Sequence, residues 1–149
     1  MFAVTILITL SFPVVVRFWD LTLIDAVSSP DHVREILAGM TAEQKGAHAW
    51  ITGTLDVAYP FAYGGLFAGV ALRFFPRYGY YLSIPALLAI PVDLTEGVVQ
   101  ILALTETTDW LSIKAFVTPI KMILFLTAVV IALAGWIKWL YFRVRAIMR

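Results

Sequence analysis

Four stretches of the chain carry no charge for 15 or 16 residues: Met1 to Val16, Val57 to Leu72, Tyr78 to Val92 and Met122 to Ile137. A helix needs about 20 mainly apolar residues to cross the hydrocarbon of a bilayer, at ~1.5 Å per residue. Each run must therefore be extended past an ionisable residue, which predicts four transmembrane helices at about 2–24, 47–73, 78–104 and 110–140. The fold class expected is an all-α integral membrane bundle, one four-helix domain over residues 1–149. The first loop carries its own element. Ser29 before Pro30 is an N-cap followed by proline at the first helical position, Gly39 suits the C′ position, and Val33, Ile36, Leu37 and Met40 share one face. That pattern predicts a short amphipathic helix on the outer interface. Thr41 with Gln44 then forms a capping box for the second span.

Composition agrees with the pattern. The chain is 61% hydrophobic and 14% charged, with a mean hydropathy of +0.88, whereas soluble domains are roughly a quarter charged. A soluble globule is excluded. A net charge of +1 gives no field for nucleic acid, and the lack of cysteine removes disulfides, thiolate metal sites and thiol nucleophiles. Short-loop charge sets orientation. Arg73 and Arg77 flank the turn between the second and third spans, and Lys138, Arg143, Arg145 and Arg149 fill the tail, so both termini are expected to be cytoplasmic in a bacterial inner membrane. Arg17 and the lack of a basic start argue against a cleaved signal peptide. Trp19, Trp50 and Trp110 would mark the outer interface, and Trp136 and Trp139 the inner one.

Depth changes the meaning of the few charges. Asp56 lies 17 residues from Arg73, Asp93 lies 16 from Arg77, Lys121 lies 17 from Lys138, and Arg17 lies 16 from Met1. At ~1.5 Å per residue all four stand about 24–26 Å along their helices, in one layer. Helical phase gives each span one polar stripe: Asp56, Tyr59 and Tyr63; Asp93, Glu96 and Gln100; Pro13, Arg17 and Asp20; Lys114, Thr118 and Lys121. Stripes of this kind face a bundle interior, because ionisable groups in lipid cost about 2.5–3.5 kcal/mol each on insertion scales. Two plainer readings compete with a functional site: interfacial residues on helices that project above the membrane, and structural ion pairs that hold the bundle together. Pairing Asp93 with Lys121 and Arg17 with Asp20 leaves Asp56 and Glu96 as the acids expected to hold a proton.

Other chemistry is sparse. Ala58, Ala62, Gly65 and Gly69 form a small-residue stripe with a GxxxG match, which suits close packing, a homodimer or a larger complex. His32 and His48 fall in or near the first loop, so no histidine is expected inside the bundle and intramembrane bis-histidine haem is excluded. The chain has no nucleotide-binding or zinc-protease motif, and no cofactor or metal is expected.

Asp56 followed by Tyr59-Pro60, and Asp93-x-x-Glu96, resemble a pattern in uncharacterised small bacterial four-helix membrane proteins, Asp-x-x-Phe/Tyr-Pro followed by Asp-x-x-Glu, over about half the chain. A fainter similarity is to the EXPERA group, whose sterol isomerase and sigma-2 receptor members bind amphiphilic amines or sterols through acids inside a four-helix bundle. That resemblance implies a ligand cavity near Asp56 and Asp93, lined by Tyr59 and Tyr63. The candidate ligand-binding set is Asp56, Asp93, Glu96, Tyr59, Tyr63, Lys121, Arg17 and Asp20. It is expected to bind, or act on, a small cationic or hydroxylated amphiphile or a membrane lipid, with no reaction type or catalytic residue defined. The alternatives are an accessory subunit that docks through Gly65 and Gly69, and proton- or cation-coupled transport by an oligomer.

Overall fold

Thr41 Oγ1 accepts from Gln44 N at 3.2 Å while Gln44 Oε1 accepts from Thr41 N at 2.9 Å, closing the capping box and starting a helix five residues before the second span expected at 47–73. The structure, a computed structural model, describes residues 2–148. Its helices are α1 (Phe2–Phe18), α2 (Pro30–Gly39), α3 (Ala42–Phe74), α4 (Gly79–Leu104) and α5 (Lys114–Ile147), with a 3-10 turn at Leu111–Ile113 leading into α5. Three helical segments, Ala42–Phe74, Gly79–Leu104 and Leu111–Ile147, are long and apolar enough to cross a membrane. They pack antiparallel in sequence, with α1 laid along α3. One end of the bundle, where α3 and α5 begin, carries the acids; the other carries Arg73, Arg77, Lys138, Arg143 and Arg145.

The first helix is shorter than its apolar pattern predicts. Leu21 N donates to Val16 O at 3.0 Å, and Asp20 takes the left-handed conformation at φ 48°. This six-to-one closure is a Schellman-type stop, with aspartate in the place where glycine is usual. With 17 residues, α1 covers about 25 Å, and it buries no residue completely. Beyond it the chain turns inward, and Ile24 is fully buried. The same device ends α4. Thr107 N donates to Leu102 O at 3.0 Å, Glu106 N to Ala103 O at 3.1 Å, and Glu106 sits at φ 55°.

The loop helix α2 is present over the expected residues, with Ser29 Oγ accepting from His32 N at 3.4 Å. Gly39 is its last helical residue and has no positive φ, so the C′ role does not apply. Its apolar face meets protein: Val33 and Leu37 pack with Ile24, Val99, Leu104 and Leu111 in the core cluster at the acidic end. Ion pairs fasten this cap. Arg34 Nε binds Asp109 Oδ2 at 2.9 Å, and Lys45 Nζ binds Glu106 Oε1 at 2.7 Å, so each cation holds its carboxyl partner below the usual carboxylate range.

Toward the basic end the core is built from small residues. Ala68, Ala86 and Ala128 pack together, and Ala71, Ala89, Ala132 and Gly135 continue the seam. Of the expected small-residue stripe, Ala62 is buried and Gly65 half-buried, whereas Ala58 and Gly69 are exposed. Gly64 is the packed glycine, because a Cβ there would stand 2.7 Å from Ile90 Cγ1 and 3.1 Å from Ala86 O. Gly69 is exposed, with nothing within 4 Å of an added Cβ. The α3–α4 turn is tighter still: a Cβ on Gly79 would meet Ala71 O at 2.7 Å and Leu72 Cα at 2.8 Å. Backbone cannot yield as a side chain can. Gly79→Ala is expected to destabilise by about 1–3 kcal/mol, and Gly69→Ala to change stability by less than ~0.5 kcal/mol, read as midpoints of thermal unfolding in detergent.

Candidate functional site

Glu96, on α4, is 1% exposed and is the most heavily partnered charge in the molecule. Its Oε1 accepts from Lys114 Nζ at 2.6 Å and from the Thr118 hydroxyl, and its Oε2 pairs with Lys121. All three partners lie on one face of α5, at the i, i+4, i+7 spacing of the polar stripe. Lys121 is shared: its Nζ also stands 3.3 Å from Asp93 Oδ1, and Asp93 Oδ2 accepts from the Tyr63 hydroxyl at 2.9 Å. Lys114 is fully buried. The α4 and α5 stripes therefore interlock, and Glu96, one of the two acids expected to hold a proton, is instead consumed by two lysines.

Beside this network lies a cavity of about 240 Å³. Its polar wall is Asp25, Asp56, Asp93 and Lys121; its apolar wall includes Phe12, Leu23, Met122 and Phe125, with Tyr59 and Tyr63 between the two. The aromatic rings are in edge-on contact, with centroids 5.7 Å apart for Phe12 and Tyr59, 5.2 Å for Tyr59 and Tyr63, and 5.1 Å for Tyr63 and Phe125. Thr9 Oγ1 bonds the Tyr59 hydroxyl at 3.3 Å, tying α1 to this wall.

The carboxylates of the polar wall are unequally satisfied. Asp93 has Lys121 and Tyr63, whereas Asp25 Oδ2 and Asp56 Oδ2 are buried without a hydrogen-bond partner. A buried oxygen left unpaired costs about 1–3 kcal/mol or more, so these two atoms are the positions from which a ligand's donors would gain most. Among the described residues, no cluster of three or more His, Asp or Glu side chains is arranged to hold a metal ion.

Six of the eight sequence candidates come together: Asp56, Tyr59, Tyr63, Asp93 and Lys121 on the cavity wall, and Glu96 behind it. Arg17 and Asp20 do not join them. Both are exposed, and among the described residues neither forms an ion pair, including with the other. The early stop of α1 explains this, because Asp20 lies outside the helix and the shared-face relation with Arg17 fails there. What Asp20 does instead is structural: its backbone carbonyl accepts from Gln44 Nε2 at 3.0 Å.

Asp25 takes the fourth acidic place. It follows Ile24, whose burial at the acidic end draws the loop inward, and no periodicity within the loop foretells that. His48 is the second departure from expectation. It is fully buried in the second turn of α3, inside the bundle, with Nδ1 3.2 Å from Thr52 Oγ1 and with Nε2 unpartnered. The Thr41–Gln44 box was the available signal, since a helix starting at Ala42 places His48, Thr52 and Asp56 on one face at spacings of four. Gln100, buried at the end of the α4 stripe, likewise leaves its Oε1 unpaired.

The fold and site define a helical protein with three membrane-length helices and a carboxylate-walled cavity near one end. Comparison with protein-family models, with curated proteins and with solved structures finds no match.

Removal of Glu96 tests whether the network holds the bundle. Glu96→Gln leaves the buried Lys114 without a carboxylate and Lys121 with Asp93 alone, and is expected to cost about 3–5 kcal/mol. Thermal unfolding of Glu96→Gln, Lys114→Met and the double variant checks it: the double variant should lose less than the sum of the singles.

Proposed function

We propose that this chain is a multi-pass membrane protein whose cavity binds a small amphiphile, with a cationic or hydroxylated head against Asp56 and Asp25 and an apolar body against Phe12, Tyr59 and Phe125. In this reading α1 crosses the membrane with the three longer helices, both termini are cytoplasmic, and the acidic end faces outward. The observation that carries the proposal is the division of one cavity into a carboxylate wall with two unpaired buried oxygens and a wall of interlocking rings. A head group with N–H or O–H donors fits the first wall, and a hydrocarbon body fits the second. Charge supports the choice of head. Asp25, Asp56, Asp93 and Glu96 exceed Lys114 and Lys121 by two formal negative charges, and a cation offsets one of them.

Transport has less behind it, because the core between the polar layer and the basic end is closed by the Ala68, Ala86 and Ala128 seam. Docking on a larger complex has one observation in its favour, the open space beside exposed Gly69. If a partner helix sits there, Gly69→Leu should abolish co-purification of a stoichiometric partner while leaving the monomer's thermal midpoint unchanged; retention of the partner would exclude that face.

Binding is tested with dodecylamine, dodecanol and dodecanoate added to the purified protein, with thermal stabilisation as the readout. Dodecylamine should stabilise most and dodecanoate least. Asp56→Asn should weaken the dodecylamine response roughly ten- to hundredfold, as expected for loss of a hydrogen bond to a charged group. An unchanged response in a folded Asp56→Asn protein would refute the assignment.

A further inference from the structure

All ten Asp and Glu residues lie within 20–56 or 93–109, so the basic end carries Arg73, Arg77, Lys138, Arg143 and Arg145 with no acid among them. Four of these cations lie against aromatic rings. Arg73 stacks on Phe74 at 6.0 Å, Arg77 on Tyr78 at 5.5 Å, Lys138 on Phe75 at 5.0 Å and Arg143 on Trp139 at 5.8 Å from the ring centres. Lys138 is also tied down, since its Nζ donates to Phe74 O at 2.9 Å and so caps the end of α3. Among the described residues none accepts a hydrogen bond from Arg73, Arg77 or Arg143, since a contact with a ring face uses none of the guanidinium donors.

Below Arg143 the surface is apolar and concave. Phe2 on α1 and Trp136, Ile137, Trp139 and Leu140 on α5 form a shallow groove of about 440 Å³, with Phe2 and Trp136 in edge-on contact at 6.3 Å. Trp139 belongs to both features: one ring walls the groove and carries the Arg143 guanidinium. A second groove shares Ile137 and Leu140 and is topped by Arg145. An arginine at the mouth of a hydrocarbon-lined groove is complementary to a molecule with an anionic phosphate on an acyl chain.

We propose that the basic end is a binding site for an acidic phospholipid, with the phosphate on Arg143, an acyl chain in the Phe2–Trp136–Trp139–Leu140 groove, and the neighbouring cations favouring anionic over zwitterionic head groups. It rests on the membrane assignment but not on the amphiphile cavity, which lies at the opposite end of the bundle and carries the opposite charge.

The test is lipid occupancy by native mass spectrometry of the full chain in a neutral detergent, titrated separately with phosphatidylglycerol and phosphatidylcholine. Phosphatidylglycerol should bind in preference, the preference should fall as salt is raised, and Arg143→Gln should lower phosphatidylglycerol occupancy about fivefold. Arg17→Gln, an exposed cation at the acidic end, should leave it unchanged. Equal occupancy by the two lipids, a preference insensitive to salt, or full retention of it by folded Arg143→Gln and Arg143→Gln/Arg145→Gln proteins would overturn the proposal. Inorganic phosphate at millimolar concentration should not displace the lipid; displacement would show a site for free anions instead. Dodecylamine stabilisation, unaffected by Arg143→Gln, separates failure here from failure of the cavity reading.

Discussion

The rest of the bundle depends on one carboxylate, Glu96, held between two lysines of the following helix. A lone charge at that depth would be expelled or neutralised, because the desolvation of a single ion costs several kcal/mol. Lys114, Thr118 and Lys121 remove that penalty together, and they can do so only in one register of α5 against α4. Sliding α5 by a turn would carry Lys114, which is fully buried, and Lys121 out of reach of the two Glu96 oxygens they now meet. Apolar side chains can meet in many registers at similar cost, so the register of an apolar helical bundle must come from polar pairs or from steric fit. Here the polar pairs set it at one end.

Steric fit sets it at the other. Ala68, Ala86 and Ala128 meet without intervening large side chains, and Gly135 would place a Cβ 3.2 Å from both Phe74 and Phe75. The helices are thus drawn close toward the basic end and spaced by charged side chains toward the acidic end. Tyr63, Phe67 and Phe125 occupy the change of spacing as a wedge of tilted and edge-on rings. Above that wedge, where α1 packs chiefly on α3 and buries no residue completely, the remaining space is the cavity. Its location follows from how the two ends are packed, and its loose wall is α1.

Much of this was legible in the sequence, wherever one helix carried the information. The stripes Asp93, Glu96 and Gln100 and Lys114, Thr118 and Lys121 each lie within a continuous helix, so spacing alone places them on one face. The caps at Ser29 and Thr41 are local too, and they mark where α2 and α3 start. What failed was information held between segments. Residues 19–24 read as an extension of α1, but Asp20 adopts a left-handed stop because Ile24 gains more by joining Val33 and Leu104 than by continuing a helix. That single turn removed Arg17 and Asp20 from the site and brought in Asp25. The small-residue stripe was legible only in part: Gly64 and Gly65 are adjacent and differ by ~100° of helical phase, and it takes the position of Ile90 and Ala86 to show that Gly64 has no room for a Cβ.

The exchange of Asp20 and Arg17 for Asp25 and Lys114 leaves the charge balance of the layer unaltered. Four acids still face two bases, although one of each has changed identity. The distribution within that balance has changed, and the distribution decides the chemistry. Both lysines converge on Glu96, and Asp93 keeps a share of Lys121 and the Tyr63 hydroxyl. The whole deficit therefore falls on Asp25 and Asp56, whose outer oxygens are buried and unpartnered on the same cavity wall. Glu96 takes all of Lys114 and part of Lys121, so the oxygens left without a partner are those of Asp25 and Asp56, and both residues stand on the cavity wall.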